Sequence, residues 1–327
     1  MYAAVMHETG GPEVLGYEEL PDPIAGPGEI LIDVEVISIE GGDLLHRAGD
    51  APGIAVPGGS HVVGYQAAGV VAGLGEGVEG FSLGDRVTSV GMDGSHATKR
   101  VTLAGATWKI PESLSSEAAA CVPIPFGTAH DALFEFGRLE PGQTVLVQAG
   151  GSGVGLAAIQ MAKAAGATVL ATASSESKLA RLEAFGLDHG INYSTGPFSD
   201  EVRRLSGGAG ADVIVDTVGG DVLRGSLDCL AYRGRCVMIG QAGRQRAEPV
   251  DISSMAGQNQ SLMSYFLGAE LFLSERPHAL IAQLLEQVAD GELQVEIDRS
   301  FPLAEAELAH RYIEDRLSFG RVLLLPV

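Results

Sequence analysis

Cysteine is scarce in this chain, and the few residues present do not group. Cys121, Cys229 and Cys236 are odd in number and form no Cys-x-x-Cys pair. A disulfide framework is therefore not expected; the usage fits a reducing compartment, the cytoplasm, with all three as small buried thiols. Basic residues are half as numerous as acidic ones, 21 Lys and Arg against 42 Asp and Glu, for a formal net charge of −21. Such a surface repels nucleic-acid phosphates and anionic lipid, so no nucleic-acid and no membrane partner is expected. The N-terminus, Met1 to His7, has no charged segment followed by an apolar one, so no secretory leader is expected.

Long hydrophobic runs are few as well. Residues 144–161 carry no charge and have the length of a membrane span, but Gly150, Gly151, Gly153 and Gly155 interrupt them. A strand and a helix joined by a tight turn fit that run better. Glycine is what the chain has in abundance, 45 of 327 residues. It has no collagen-like period or low-complexity bias, which points to many turns and close backbone contacts. The hydrophobic fraction of 46% supports a large core, and the length exceeds what one core usually serves. Two domains are expected.

Hydrophobic periodicity differs between the two parts. Residues 29–37 alternate in the manner of a half-buried strand, and 68–74 and 85–90 read as further short strands between Gly, Asp and Glu turns. Strands at this spacing suggest a barrel-like or partly closed sheet. After about residue 125 strand-like runs (144–148, 168–173, 190–193, 212–216, 235–240) alternate with helical candidates (154–165, 177–185, 200–205, 222–231). Regular β-α alternation predicts a parallel, doubly wound sheet with helices on both faces, a sixth strand lying near 262–266. The tail reads as helices over 277–290 and 304–315 and a strand over 321–325, packing back on the first part. The fold class is thus α/β, a doubly wound parallel (Rossmann) domain at 125–267 plus a β-rich domain made of 1–124 and 268–327.

The glycine-rich turn carries the first chemistry. Thr144-Val-Leu-Val-Gln-Ala-Gly-Gly-Ser-Gly-Val-Gly155 places Gly150, Ser152, Gly153, Val154 and Gly155 between a buried strand and a helix. Glycines let a backbone approach a pyrophosphate, and the helix N-terminus offers N–H groups and positive dipole. The hexamer is not a strict GxGxxG, since Ser152 takes the middle place, and a tight turn that binds nothing is the alternative; the strand before and the β-α units after favour a nucleotide. NAD-binding domains place a carboxylate about 20 residues on for the ribose 2′-hydroxyl. Here the second strand ends Ala171-Thr-Ala-Ser-Ser175 without one, and Lys178 follows. Ser174 and Ser175 can donate and the ammonium can pair a 2′-phosphate, which argues for NADPH; a solvated helix lysine is the bland alternative.

At this point the chain resembles the medium-chain dehydrogenase/reductase superfamily, in its zinc-free quinone oxidoreductase (zeta-crystallin-like) branch. The resemblance runs nearly end to end, through Gly10-Gly-Pro-Glu-Val-Leu15, Gly26-Pro-Gly-Glu-Ile30, Asp43-Leu-Leu-His-Arg-Ala-Gly49, Gly84-Asp-Arg-Val87, Thr128-Ala129 and Gly320-Arg-Val-Leu-Leu324. It implies that the β-rich part is a GroES-like catalytic domain. It also implies that Lys178, Tyr193 and Ser174 recognise the NADP phosphate end and that Gly153 and Val154 sit at the pyrophosphate. Val218, Gly240, Gln241 and the backbone of Phe266 and Leu267 would line the cofactor track, with Thr128 and Arg316 at further contact positions.

Zinc alcohol dehydrogenases of the superfamily bind catalytic zinc with Cys, His and Cys, and the matching places here hold Glu40, Tyr65 and Ile124. Ile124 cannot bind metal and a neutral Tyr is a poor ligand, so no metal is expected. His46 and His61 fall outside those places and read as surface or pocket histidines. Without a Lewis acid, acceptors that already take hydride readily are favoured. The expected activity is NADPH-dependent reduction of a quinone or other α,β-unsaturated carbonyl. Enoyl or 2-alkenal reduction, or a non-catalytic NADPH-binding structural or sensor role, are the alternatives. Glu40, Leu45 and Ala51 stand where many quinone oxidoreductases have Asn, Tyr and Tyr, so the acceptor pocket differs. Tyr65 and Glu40 are the candidate catalytic groups, the phenol being the better acid at neutral pH, while Glu40 equally fits a cap on the Gly41-Gly42 turn. The partners expected are a small-molecule electron acceptor and a second copy of the chain, paired through the edge strand near 262–266.

Overall fold

The computed structural model describes residues 1–51, 59–244 and 249–326. They form two compact units, Met1–Ile124 with Gly268–Val327, and Pro125–Leu267.

The first unit is built from β1 (Tyr2–Met6), β2 (Gly16–Glu19), β3 (Glu29–Ser38), β4 (His61–Val62), β5 (Gln66–Leu74), β6 (Arg86–Val90), β7 (Lys99–Leu103) and β8 (Thr107–Lys109). Alternation decides the central strand. Ile30, Ile32, Val34 and Val36 of β3 are buried, whereas Asp33 and Glu35 between them face outward. β3 pairs antiparallel with β5 on one side and with β7 on the other. Gly69 allows the first pairing, since a Cβ there would lie 2.1 Å from the Asp33 carbonyl oxygen.

The second unit is a parallel sheet of β9 (Thr144–Val147), β10 (Thr168–Ala173), β11 (His189–Asn192), β12 (Ala211–Asp216), β13 (Leu230–Met238) and β14 (Ser261–Ser264). Among the described residues the strand order is β11-β10-β9-β12-β13-β14, the doubly wound arrangement. Helices Gly153–Ala164, Glu176–Leu182, Phe198–Leu205 and Gly220–Asp228 make the crossovers. Val145, Leu146 and Val147 are all fully buried, the continuous apolar run of a strand covered on both faces. Two boundaries differ from the sequence pattern. The last crossover helix stops at Asp228, and Leu230 and Ala231 belong to β13, where Gln260 Nε2 donates to the Leu230 carbonyl at 2.8 Å. Their apolar side chains suit a helix face and a strand equally, so only pairing separates the two. β14 ends at Ser264, beyond which the Tyr265 hydroxyl donates to the buried Asp131 carboxylate at 2.6 Å.

The tail adds helix Arg276–Ala289, β15 (Ile297–Pro302), helix Ala306–Glu314 and β16 (Arg321–Leu325). β16 pairs antiparallel with β3 and parallel with β15, giving the order β15-β16-β3-β5-β6-β8 among the described residues. β15 was not expected: its residues, Ile-Asp-Arg-Ser-Phe-Pro, have no clean alternation, and its partner supplies the strand. No helix of the described residues is long and apolar enough to cross a membrane.

Candidate active site

A parallel sheet delivers its carboxyl ends to one edge, and most of the sequence-predicted nucleotide residues lie there. β9 stops at Val147, and the chain enters helix Gly153–Ala164 through Ala149, whose φ is +52°, and through the N-cap Ser152. The Ser152 hydroxyl accepts the Gly155 N–H at 3.0 Å. A Cβ on Gly155 would lie 2.5 Å from the Ala149 oxygen and 2.7 Å from the Gly150 oxygen, so the turn closes this tightly only with glycine. The N–H groups of Gly153 and Val154 begin the helix and have no intrahelical acceptor. The turn fits a pyrophosphate by backbone shape and by dipole.

Past β10, Ser174 and Lys178 are half-buried; the Ser175 hydroxyl caps helix Glu176–Leu182, accepting the Lys178 N–H at 3.3 Å. No carboxylate occurs within Ala171–Ser175 at the strand tip; the Glu176 carboxylate, just beyond, accepts from Asn192 Nδ2 at 2.8 Å. Tyr193 follows β11 and donates its N–H to the Ala173 carbonyl at 3.2 Å, which brings it beside that tip. Val218 lies two residues past β12, its N–H and that of Gly219 both held by Asp216 Oδ1 at 2.9 Å. Gly240 and Gln241 follow β13, and Phe266 (half exposed) and Leu267 (buried) follow β14. Thr128 is nearly buried in helix Pro123–His130. Arg316 belongs to the first unit, exposed at φ +57° ahead of β16.

Sequence reasoning missed the polar tie beneath this edge. The Thr172 hydroxyl donates to Gln148 Oε1 at 2.7 Å, Gln148 Nε2 donates to Ser226 Oγ at 3.1 Å, and Ser226 donates to Asp216 Oδ2 at 3.0 Å. These side chains lock the ends of β9, β10 and β12 to one another. The signal available was a polar residue at or just past the end of each apolar strand: Gln148 after β9, Thr172 next to last in β10 and Asp216 last in β12.

In the first unit, β3 ends at Ser38 and Glu40 becomes the N-cap of helix Gly41–Ala48. Asp43, fully buried, accepts the Glu40 N–H at 2.8 Å with one oxygen and the Tyr65 N–H at 3.1 Å with the other. Gln66 donates to the Glu40 carboxylate, and its own oxygen accepts the Ile124 N–H at 3.1 Å. Glu40, Tyr65 and Ile124 are thus brought together by Asp43 and Gln66. The Glu40 carboxylate is gripped by Arg321, through Nη2 to one oxygen and Nη1 to the other at 3.2 Å. The same guanidinium donates to Ser38 Oγ at 2.7 Å and to the Ile39 carbonyl at 2.7 Å. Burial raises the Glu40 carboxyl above the usual range against the pull of Arg321 and Gln66, and raises Asp43 well above it.

The Tyr65 ring packs on Gly42, where a Cβ would lie 2.3 Å from its Cε2, and its hydroxyl donates to the Gly42 carbonyl at 3.4 Å. Burial pushes the phenol pKa well up, with Asp43, Glu40 and Asp93 adding to it, so the group stays protonated. His46 and His61 are not surface residues: they are 2% and 7% exposed, their rings 4.8 Å apart. The burial follows from His46 facing inward on its amphipathic helix.

Residues 26–125 match the family described as alcohol dehydrogenase GroES-like domain, and residues 153–286 match the family described as zinc-binding dehydrogenase. The chain is 34% identical to a 2-haloacrylate reductase of Burkholderia sp, over 99% of this chain and 98% of the relative. It is 32% identical to a quinone oxidoreductase of Pseudomonas aeruginosa, over 97% of each. The chain belongs to the quinone oxidoreductase branch of the medium-chain dehydrogenase/reductase superfamily. A mycobacterial protein solved in complex with NADPH superposes with a TM-score of 0.93 at 33% identity, covering 100% of both chains. The fold is accordingly a Rossmann domain joined to a GroES-like domain, in a family of oxidoreductases. Among the described residues, no group of three or more His, Cys, Asp or Glu side chains is arranged to hold a metal ion.

Proposed function

We propose that this chain uses NADPH to reduce quinones or other α,β-unsaturated carbonyl compounds, and does so without a metal ion. The observation that carries the reading is the donor set at the superfamily's zinc place. Glu40 is committed to Arg321 and Gln66, Tyr65 keeps its proton, and Ile124 offers only a backbone N–H, which Gln66 already accepts. Without a Lewis acid, the acceptor must already be conjugated to a group that takes up electron density. The names of the two relatives, a quinone oxidoreductase and a reductase of a conjugated acid, support that acceptor class.

In this reading the unit Pro125–Leu267 holds the nucleotide and the other unit carries the acceptor site. Gly150, Ser152, Gly153, Val154 and Gly155 bind the pyrophosphate. Ser174, Ser175, Lys178 and Tyr193 hold the 2′-phosphate, and Thr128, Val218, Gly240, Gln241, Phe266, Leu267 and Arg316 orient the remainder. When bound, NADPH supplies hydride from its nicotinamide. Tyr65 gives a proton to the reduced acceptor, and Glu40, held by Arg321, shapes the pocket. β14, a sheet edge with half-buried side chains, is the strand through which two copies pair. Three buried free thiols suit the cytoplasm. Purified protein is expected to oxidise NADPH with 1,2-naphthoquinone or a 2-alkenone, followed by absorbance, at a rate a chelator does not change. Loss of activity with chelator, or no turnover across an acceptor panel despite NADPH binding, overturns the proposal.

A further inference from the structure

Among the described residues, four buried side-chain nitrogens lack a hydrogen-bond partner: both of His46, Nε2 of His61 and Nε of Arg100. A buried polar atom left unpaired costs folding free energy, and three of the four belong to two adjacent imidazoles. Their ring centroids are 4.8 Å apart at 56°, and the His46 ring lies 6.4 Å from that of Tyr65 at 33°. On the other side, His61 opens β4 directly after the exposed Ser60, whose hydroxyl is 3.5 Å from Nδ1 of the exposed His7. His7 Nε2 meets Glu18 at 2.8 Å. Glu18, His7 and Ser60 are linked at the exposed end, His61 follows Ser60 along the chain, and the His61, His46 and Tyr65 rings lie in succession toward the interior of the same unit.

We infer that His61 and His46 are a proton-supply path from solvent to Tyr65. The inference rests on the reading of Tyr65 as the proton donor. An acceptor that has taken up hydride is left as an anion and needs one proton. The Tyr65 O–H bond breaks as that proton forms a new C–H or O–H bond on the acceptor, leaving a phenolate. His46 N–H then returns a proton to the phenolate oxygen, His61 restores His46, and a solvent proton arriving by His7 and Ser60 restores His61. The sum is one acceptor, one NADPH and one solvent proton giving reduced acceptor and NADP⁺. No hydrogen bond joins His61 to His46 or His46 to Tyr65, so each transfer requires rotation of a ring or one bridging water.

The chemistry of the groups suits the task. A neutral imidazole carries a donor on one nitrogen and an acceptor on the other, so it can pass a proton without net charge. Burial, and His61 beside it, hold His46 below its ordinary pKa against the pull of Asp93, which keeps it in that neutral form. Burial foremost, and the Asp43, Glu40 and Asp93 carboxyl groups after it, disfavour a phenolate at Tyr65, so one formed there recaptures a proton strongly.

His46→Phe and His61→Phe test the path, because phenylalanine fills the space and removes the unpaired nitrogens. Thermal stability should hold or rise, and NADPH affinity by fluorescence titration should stay within about twofold. Turnover should fall on the order of tenfold to 100-fold, with a larger solvent deuterium isotope effect and partial rescue by added imidazole. Where a Phe variant does not fold, His46→Gln and His61→Gln carry the same expectation, since an amide cannot exchange a proton near neutrality. Tyr65→Phe separates the two readings. If it keeps full turnover, the donor assignment falls and the path with it. If it loses turnover while every folded histidine variant keeps wild-type turnover and isotope effect, the path alone falls.

Discussion

Replacing Arg321 with methionine removes the cation facing Glu40 while keeping much of its volume. In the wild type both side chains are under one-tenth exposed, and the guanidinium meets both carboxylate oxygens, the Ser38 hydroxyl and the Ile39 carbonyl. In Arg321→Met the carboxylate keeps only its bond from Gln66, and the Ser38 and Ile39 oxygens lose their donor. Breaking one half of a buried pair costs about 3–5 kcal/mol, a large part of a total stability of about 5–15 kcal/mol. Trp108, the single tryptophan, reports on the right unit: it is 2% exposed and its indole N–H donates to the His278 carbonyl at 2.9 Å. Urea unfolding followed by its fluorescence should show the midpoint fall by about 1 M or more. Glu40→Gln combined with Arg321→Met should recover more than half of the loss, because a neutral amide has no uncompensated charge to bury. The sign with pH follows from burial. Glu40 already titrates above its usual range, and loss of the guanidinium moves it higher. A group whose folded pKa is raised stabilises the fold at low pH and loses that contribution as pH rises through the folded value. The deficit of Arg321→Met should therefore be small near about pH 4 and largest near about pH 8. A loss under about 1 kcal/mol, equal at both pH values, would refute the view of Arg321 as the counter-ion that makes a buried Glu40 tolerable.

Lys178→Ala should weaken NADPH about tenfold or more while leaving NADH nearly unchanged, as one charge-assisted contact to a phosphate requires; equal losses by calorimetry remove its 2′-phosphate role. Gly155→Ala places a Cβ against two backbone oxygens at 2.5 and 2.7 Å, so the turn must open. NADPH affinity should drop at least about tenfold, and an unchanged Kd would show that the turn does not hold the nucleotide. Asp43→Asn can satisfy only one of the two N–H groups the carboxylate accepts, and should cost about 1–3 kcal/mol. Burial holds Asp43 well above the usual carboxylate range, so its contribution is fullest in acid and declines as pH rises. The variant should have a flatter dependence of urea midpoint on pH, and an unaltered slope would mean Asp43 does not titrate as its burial demands.

Local pattern was enough for the parallel sheet. The run at 145–147 is apolar throughout because both faces are covered, and Gly150, Ser152 and Gly155 obey the sterics of a tight strand-to-helix turn wherever they occur. The lack of a carboxylate within Ala171–Ser175, and the Tyr and Ile at two of the three places where zinc enzymes of the superfamily have ligands, can likewise be read residue by residue. Short-range signals of this kind survive in a linear string because backbone conformation and side-chain type act within a few positions of each other.

Other features depended on partners far along the chain. Ile297–Pro302 lacks strand periodicity and becomes β15 through its ladder with β16. Leu230 and Ala231 fit either element until β12 lies beside them. Glu40 has the look of a loop carboxylate or a cap until Arg321, 281 positions away, closes on it; His46 and His61 look like ordinary polar residues until the fold buries them against Tyr65. Amino-acid order settled most of the strands, helices and the tight glycine turn, because those choices are largely local. Which charges are buried, which are compensated and which nitrogens are left unpaired was decided by chain packing, because desolvation and ion pairing depend on distance in space.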